Sequence, residues 1–413
     1  MRTRLLIGLG VLVLVLGGAV AAYVIVKERQ ARDVRGSSTV EFVPTAPLPP
    51  PPKEPGVLWP AYGYDPERLH YAGGIHLRPP YRRIWTFRAQ ALVEFPPGVA
   101  FGRLYFATNA GRVVAINAKT GKRAWSVSSG RCQAASLAIG PRLVYVSFLN
   151  KPPCNRRSSG GDGELVAYYA GSGDVRWRRK IGPSESSPLV IGGAVYVADW
   201  TGRVWSFRAG TGELRWVTNV GAQVKGAPAL SGHRLVVGDY AGHLTALDSR
   251  TGKVLWRASS QARLLGSGNF YSTPAIAYGR VYIGSTDGKV YSFGAASGEL
   301  RWSQGTGGYV YSSPAVWDKR VYIGSYDGRF YCLDAATGDV KWSFRANGPI
   351  SGSPTVIAGV VYFATLKRRT YALSALTGAQ LWTFPDGKYS PVVADAKRLY
   401  LIGYARIFGM VER

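Results

Sequence analysis

The sequence predicts an all-β fold, an eight-bladed β-propeller behind an N-terminal transmembrane helix. Three observations predict the propeller: a repeat of about 40 residues, short alternating runs separated by turn pairs inside each copy, and two incomplete ends that complement each other. The repeat is plainest between Val281–Trp302 and Val321–Trp342, where 12 of 22 positions are identical. A period of this length indicates repeated units rather than one irregular domain.

A tryptophan closes each copy. Eight of them follow one another at intervals of 40, 52, 39, 40, 46, 40 and 40 residues: Trp85, Trp125, Trp177, Trp216, Trp256, Trp302, Trp342 and Trp382. Within a copy, alternating runs rich in Tyr, Val and Ile are separated by pairs such as Asp287-Gly288 and Ser297-Gly298. Alternation predicts strands, and Asp-Gly between them predicts tight hairpins. Four strands per copy make one propeller blade.

The blade count follows from the two ends of the repeat region. Trp85 has no preceding copy, whereas Ser390–Arg413 supplies three strands without a closing Trp. The last blade is therefore predicted to join the N-terminal outer strand to C-terminal inner strands, which leaves no free sheet edge in the ring. The predicted propeller spans residues 85–413.

The best copy of the repeat reads YCLDAATGDVKW over Tyr331–Trp342. This pattern resembles that of the pyrroloquinoline-quinone (PQQ) repeat propellers, and an eight-bladed ring of it is most similar to the BamB-like outer-membrane assembly factors. The resemblance implies a non-enzymatic protein-binding or scaffold module, with cell-envelope assembly as the expected process. The alternative that it leaves open is a PQQ-dependent quinoprotein oxidoreductase.

In the enzymes of the family that this repeat resembles, the quinone lies against two adjacent, disulfide-bonded cysteines, and a calcium ion is held beside it. Cys132, Cys154 and Cys332 are far apart in this sequence, so no cofactor, no metal and no catalytic residue is predicted. The aspartates at equivalent turns are interpreted as turn residues, because Asp accepts hydrogen bonds from nearby backbone in tight hairpins. They are Asp199, Asp239, Asp287 and Asp327.

The N-terminus predicts a membrane anchor. Leu5–Val26 carries no charge and is long enough as a helix to span a bilayer core, behind a four-residue stub (1–4) expected to be cytoplasmic. Cleavage after Ala21, as in a signal peptide, is the alternative. Residues 27–84 are predicted as a lead-in that includes a proline-rich stalk at Pro44–Pro55. The expected location is the cell membrane, single-pass, with an extracytoplasmic propeller.

The formal net charge of +27 favours contact with polyanions. Two long insertions, Phe148–Gly163 and Arg257–Tyr271, are expected on one face of the ring, the face of the loops after second and fourth strands. Basic residues predicted there form a candidate binding face: Lys151, Arg156, Arg157, Lys225, Lys367, Arg368 and Arg369. We hypothesise that this face points away from the stalk and binds an envelope protein or an anionic cell-surface polymer. A merely solvated loop face is the alternative; nucleic acid is not expected, and the protein is expected to be a monomer.

Cys132 and Cys154 map to that same face. A disulfide between them is therefore a candidate, in a compartment that permits disulfides. Cys332 alternates inside a strand and is predicted to be a buried thiol.

Overall fold

The computed structural model describes residues 2–45, 55–152, 154, 162–261, 268–390 and 392–413. Its described strands form eight sheets, each with four antiparallel blade strands, and the innermost strands contact one another around a central axis, which confirms the eight-bladed all-β propeller. We number the blades along the chain and the strands of each blade from the axis outward. Because consecutive strands are antiparallel, the loops after the second and fourth strands lie on one face, the loop face, and the remaining turns lie on the opposite face.

The first four blades are built from consecutive strands. Their bounds, blade by blade, are Gly98–Ala100, Arg103–Ala107, Arg112–Asn117 and Arg123–Ser128; Ala138–Ile139, Leu143–Phe148, Gly163–Tyr169 and Val175–Ile181; Leu189–Ile191, Ala194–Ala198, Arg203–Arg208 and Leu214–Asn219; Ala229–Ser231, Arg234–Gly238, His243–Asp248 and Val254–Ser259.

Blades 5 to 7 follow the same order. Their strands are Ala275–Ala277, Arg280–Gly284, Lys289–Gly294 and Leu300–Gly305; Ala315–Trp317, Arg320–Gly324, Arg329–Asp334 and Val340–Arg345; Thr355–Ile357, Val360–Thr365, Arg369–Ser374 and Gln380–Phe384.

Blade 8 closes the ring. Its inner strands are Val392–Ala394, Leu399–Ile402 and Arg406–Glu412, and its outermost strand is Tyr81–Arg88 from the start of the propeller. The two halves pair antiparallel, with Phe87 opposite Ile407. The predicted closure by complementary ends is therefore correct.

The repeated tryptophan joins neighbouring blades. In six blades its indole Nε1–H donates to a backbone carbonyl of the next blade at 2.8–3.3 Å. The glycine of the Thr-Gly pair in the next blade packs against the same indole ring. A Cβ atom at Gly338, whose φ is +81°, would be 2.8 Å from the Trp302 side chain. The motif thus encodes contact between sheets, since the glycine both adopts a left-handed turn and leaves room for the indole.

The hydrophobic core lies between adjacent sheets. Tyr105 of blade 1, for example, packs in one buried cluster with Val146 and Tyr168 of blade 2. Second and third strands are buried on both faces, whereas fourth strands such as Val254–Ser259 alternate between partly buried and exposed. The apolar alternation in the sequence reflects this sandwich of radially packed sheets.

One helix, Arg2–Gln30, precedes the propeller. Where its side chains are described, several apolar ones are exposed, among them Val15, Leu16 and Val20. Among the described residues, no helix combines the length and the apolar character that a membrane span needs. The predicted transmembrane anchor over Leu5–Val26 is not supported by this finding.

Residues 31–43, which we call the strap, lie along the outside of blade 5. Lys289 Nζ is 2.8 Å from Asp33 Oδ1, and Arg301 Nη2 is 2.6 Å from Glu41 Oε2. The Arg280 side chain, fully buried, donates to the backbone carbonyls of Glu41 and Ser37 at 2.8 and 2.9 Å. Lys289 begins its strand at the loop face, so the strap starts there and descends to the opposite face.

Residues 57–77, which we call the axial plug, close the centre of the ring. Val57–Trp59 adds an antiparallel strand to blade 1, and Tyr71–Ala72 adds a parallel one to blade 7. Innermost strands of five blades donate backbone N–H groups at 2.7–2.9 Å to plug carbonyls, which are those of Pro60, Pro66, Glu67, Leu69 and His70. Backbone groups at the inner sheet edges, which would otherwise be unpaired, are thereby satisfied.

The expectation for residues 27–84 differs from this arrangement. Strap and plug pack against the ring, and residues 46–54 of the predicted proline-rich stalk lie outside the described residues. The strap also begins at the loop face, whereas we hypothesised that this face points away from the stalk. The position of the lead-in was predicted only from the outer strand that contains Trp85. The tertiary contacts of the residues before that strand have no signal in the sequence.

Candidate functional site: the loop face and its axial cavity

The predicted basic residues are distributed widely over the loop face. Lys151 is exposed in the long loop of blade 2, while Lys367 and Arg368 lie in the loop after the second strand of blade 7 and Arg369 begins its third strand. Arg156 and Arg157 lie outside the described residues. Arg368 has a positive φ of 56°, and its guanidinium carbon is 4.5 Å from the ring centre of Tyr404. This cation–π contact orients one of the three exposed charges on blade 7.

Lys225 differs from the other predicted basic residues. Its Nζ lies 3.3 Å from Glu185 Oε2, and its side chain is only 18% exposed. The same ammonium is 4.8 Å from the ring centre of Trp200, 4.9 Å from Tyr240 and 5.8 Å from Tyr271. Lys225 is therefore enclosed by aromatic rings and a carboxylate, and it does not add a free positive charge to the surface.

A cavity of about 60 Å³ lies on the axis at the loop face. Its floor is the plug residue Tyr62, whose hydroxyl is hydrogen-bonded to Ser353 Oγ at 2.6 Å and Ser313 Oγ at 3.0 Å. Glu94, Glu185 and Lys225 are the charged side chains in its lining, together with tyrosines and serines. The loops between blades deliver these residues, because each such loop passes the rim of the axis.

The two carboxylates of the cavity have perturbed acidities. Burial, and then the charge of Glu185, raise the pKa of Glu94 to about 7, although Lys388 acts in the opposite direction. Burial also raises the pKa of Glu185, while the ammonium of Lys225 favours its charged form. Glu94 thus changes charge near neutral pH, which makes the cavity responsive to protonation.

An arc of aromatic rings borders the cavity across blades 3 to 6, and it was missed by sequence reasoning. Tyr271 stands between Tyr240, at 6.1 Å between ring centres, and Tyr311, at 5.0 Å. Tyr326 continues the arc 5.0 Å from Tyr311, and Tyr309 beside them is 56% exposed. A signal was present: an aromatic follows the hairpin's first turn residue in Asp199-Trp200, Asp239-Tyr240 and Ser325-Tyr326.

The turn aspartates have structural partners. Asp199 accepts hydrogen bonds from the Gly182 N–H at 2.9 Å and the Trp205 indole at 2.7 Å. Asp327 accepts from the Tyr331 hydroxyl at 2.6 Å and the Gly307 N–H at 2.9 Å. These bonds tie neighbouring loops together, as turn chemistry predicts.

The structure joins Cys132 to Cys154 by a disulfide, with the two Cα atoms 5.5 Å apart. Beside it, the buried Arg131 pairs with Asp162 at 3.1 Å and Glu164 at 3.2 Å. Disulfide and ion pairs together hold the long loop of blade 2 to the loop that follows blade 1. Cys332 is a buried thiol, and burial raises its pKa to about 12.

Removing this disulfide is expected to reduce stability. The bridge spans 22 residues of sequence, for which loop-closure entropy corresponds to about 3 kcal/mol. The double variant Cys132→Ser/Cys154→Ser should lose this amount in denaturant unfolding. Dithiothreitol should lower the midpoint of the unaltered protein and leave the double variant unchanged; a midpoint insensitive to reductant in both proteins would contradict the role of the bridge.

The residues at the axis do not fit pyrroloquinoline quinone. The chain has no adjacent cysteine pair. The cavity above the plug side chain Tyr62 has a volume of about 60 Å³, which holds about four waters because one water needs about 15 Å³. Three fused rings exceed that space. Among the described residues, no group of three or more His, Cys, Asp or Glu side chains is arranged to hold a metal ion.

Comparison with solved structures places the fold among known propellers. BamB from Moraxella catarrhalis is 18% identical with a TM-score of 0.63, over 81% of this chain and 98% of that chain. A quinohemoprotein alcohol dehydrogenase from Comamonas testosteroni is 15% identical with a TM-score of 0.70, over 87% and 81%. A europium-containing methanol dehydrogenase is 13% identical with a TM-score of 0.72, over 87% and 98%. At these identities the likeness shows the fold alone.

Comparison of the sequence itself with known families adds a further finding. A search among curated proteins returned no match. A family model described as outer membrane protein assembly factor BamB matches residues 82–187, 161–309 and 304–400, which together cover most of the chain and nearly all of the propeller. The chain therefore belongs to the family of the outer membrane protein assembly factor BamB.

Proposed function

We propose that the chain is a non-enzymatic, protein-binding scaffold of the cell envelope that docks its partner on the loop face. The observation that carries this proposal is the closed axis beneath an aromatic surface: the plug leaves a cavity of only about 60 Å³, while the arc from Tyr240 to Tyr326 borders it. Partly exposed aromatic residues are enriched at protein interfaces. Family membership supports a role in envelope assembly.

Exposed basic residues lie on the same face as this aromatic surface. Lys367, Arg368 and Arg369 are all exposed on blade 7, and rim charges accelerate and select encounters with a partner of opposite charge. We propose that the N-terminal helix tethers the protein to the membrane, and the strap then holds blade 5 close to the tether. A partner in or near the membrane would meet the loop face, because the strap begins there.

Charge reversal tests the docking face. In crosslinking pull-downs from intact membranes, the triple variant Lys367→Glu/Arg368→Glu/Arg369→Glu is expected to recover at least tenfold less of the specific partner than the unaltered protein does. The matched control is Lys119→Glu/Lys122→Glu/Arg123→Glu, three exposed basic residues on the opposite face. Equal recovery of the partner by both variants would contradict docking on the loop face.

The same preparation tests the other parts of the proposal. The full chain should stay in the membrane pellet after an alkaline carbonate wash, and its release would contradict the tether. A quinone absorbance band together with calcium-dependent dye reduction by the purified protein would contradict the non-enzymatic role.

A further inference from the structure

The environment of Lys225 shows which chemistry the axial cavity accommodates. Three aromatic rings within 4.8–5.8 Å and a carboxylate at 3.3 Å surround its ammonium. Aromatic faces and carboxylates attract cations, and the attraction strengthens where water is excluded. The chain's own lysine therefore occupies one cation position at the edge of the cavity.

Among the residues that the structure describes, no cation is placed beside the second carboxylate of the cavity, Glu94, as Lys225 is placed beside Glu185. Lys388, the positive charge that acts on Glu94, has its ammonium over the rings of Tyr389 and Tyr404, at 4.8 and 4.9 Å from the ring centres. Within the described part of the chain, the ammonium of Lys225 pairs with Glu185 and not with Glu94. The lining thus holds two carboxylates for one ammonium, and it can receive a further positive charge.

The remaining lining suits a planar or extended cation. Tyr271 and Tyr311 contribute aromatic rings to the lining, and Ser351 and Ser390 contribute hydroxyl groups. The volume of about 60 Å³ corresponds to about four waters, which is comparable to the four heavy atoms of a guanidinium group. A guanidinium pairs with a carboxylate through two parallel hydrogen bonds and stacks on aromatic rings.

We propose that the axial cavity binds a guanidinium group, as carried by an arginine side chain of the docked partner, with Glu94 as its ionic contact. The identification of its source as a partner side chain rests on the proposed docking function. Binding of the guanidinium group itself does not.

The pH dependence of binding follows from Glu94. The charges that act on it are those of Glu185 and Lys388, and Lys225 is the third charged side chain of the lining. The cavity tyrosines Tyr62 and Tyr271 stay neutral because burial raises the pKa of both phenols. With a pKa of about 7, Glu94 is mostly protonated at pH 6 and mostly charged at pH 8. Affinity for a cation should therefore rise as the pH rises through 7.

Ligand-observed NMR with n-propylguanidinium tests the inference, with n-propylurea as a neutral ligand of the same shape. We expect saturation transfer to propylguanidinium only, with affinity at least fivefold higher at pH 8 than at pH 6. Glu94→Gln should weaken binding at pH 8 at least tenfold and abolish its pH dependence. Glu213→Gln, an exposed glutamate on the opposite face, is the matched control and should change neither.

A second variant keeps the test decisive if Glu94→Gln fails to fold. Lys225→Met removes the resident ammonium with little change of volume and should strengthen propylguanidinium binding severalfold, since Glu185 then becomes available. Equal signals for propylguanidinium and propylurea would overturn the inference. So would a propylguanidinium affinity that Glu94→Gln leaves unchanged or, where that variant does not fold, that Lys225→Met leaves unchanged. Because the probe is a small molecule, this result is independent of whether a partner is retained in the pull-down.

Discussion

Replacing Arg68 by alanine is expected to lower the free energy of unfolding by about 5 kcal/mol. The side chain lies at the centre of the plug and is 1% exposed. Its guanidinium donates to the carbonyls of Pro228 at 2.9 Å, Pro188 at 3.1 Å and Ser187 at 3.3 Å, and also to that of Tyr62. Hydrogen bonds to charged groups contribute about 1.5–3 kcal/mol each, and the truncation also leaves a cavity.

The position of Arg68 explains why so large an effect is expected. Burial lowers the pKa of Arg68 to about 10, so the side chain remains charged at neutral pH. Its carbonyl acceptors lie next to the innermost strands of blades 3 and 4 and in the plug itself. One side chain thus connects the plug to two blades.

Denaturant unfolding of Arg68→Ala beside Arg82→Ala measures this effect. Arg82 is exposed on the outermost strand of blade 8, and its truncation should change stability by less than about 0.5 kcal/mol. If both variants unfold at the same denaturant concentration, the guanidinium of Arg68 does not clamp the plug.

Truncation of Trp302 to alanine is the second large effect, with an expected loss of about 4 kcal/mol. The indole is completely buried and donates to the Ala335 carbonyl at 3.0 Å. Gly338 of blade 6 and Gly36 of the strap both lie against its ring. The truncation removes a large apolar contact between blades 5 and 6 and leaves a cavity.

Trp342 provides the matched comparison. It holds the equivalent position in blade 6 and donates to the Ala375 carbonyl at 3.3 Å, but it is only partly buried. Trp342→Ala should therefore lose less stability than Trp302→Ala in thermal or denaturant unfolding. Equal losses of stability would mean that the additional burial of Trp302 beneath the strap does not stabilise the protein.

The propeller could be predicted because its determinants are local. Alternating Tyr, Val and Ile, turn pairs such as Asp287-Gly288 and a tryptophan at regular spacing each act over a few residues, and eight copies repeat the same information. Ring closure was equally accessible, since an outer strand at Trp85 without inner strands has one complement in the chain, the strands after Ser390.

The site could be predicted only in part. Lys151, Lys225 and Lys367 lie in loops of one face, and strand order alone decides which loops share a face. Lys225 nonetheless has a different environment from the one expected. Its neighbours Trp200, Tyr240 and Glu185 come from three other loops, and no spacing in the sequence reveals that they converge.

The sequence by itself determined the repeat, the strands, the number of blades and the family, because all of these depend on residues close together in the chain. The tertiary structure alone decided the course of residues 31–43 and 57–77 and the composition of the axial cavity. These segments match no repeat, and their positions follow from contacts with blades that lie hundreds of residues away, such as Arg301 with Glu41 and His70 with Val356. Long-range packing of this kind has no periodicity that a sequence could display.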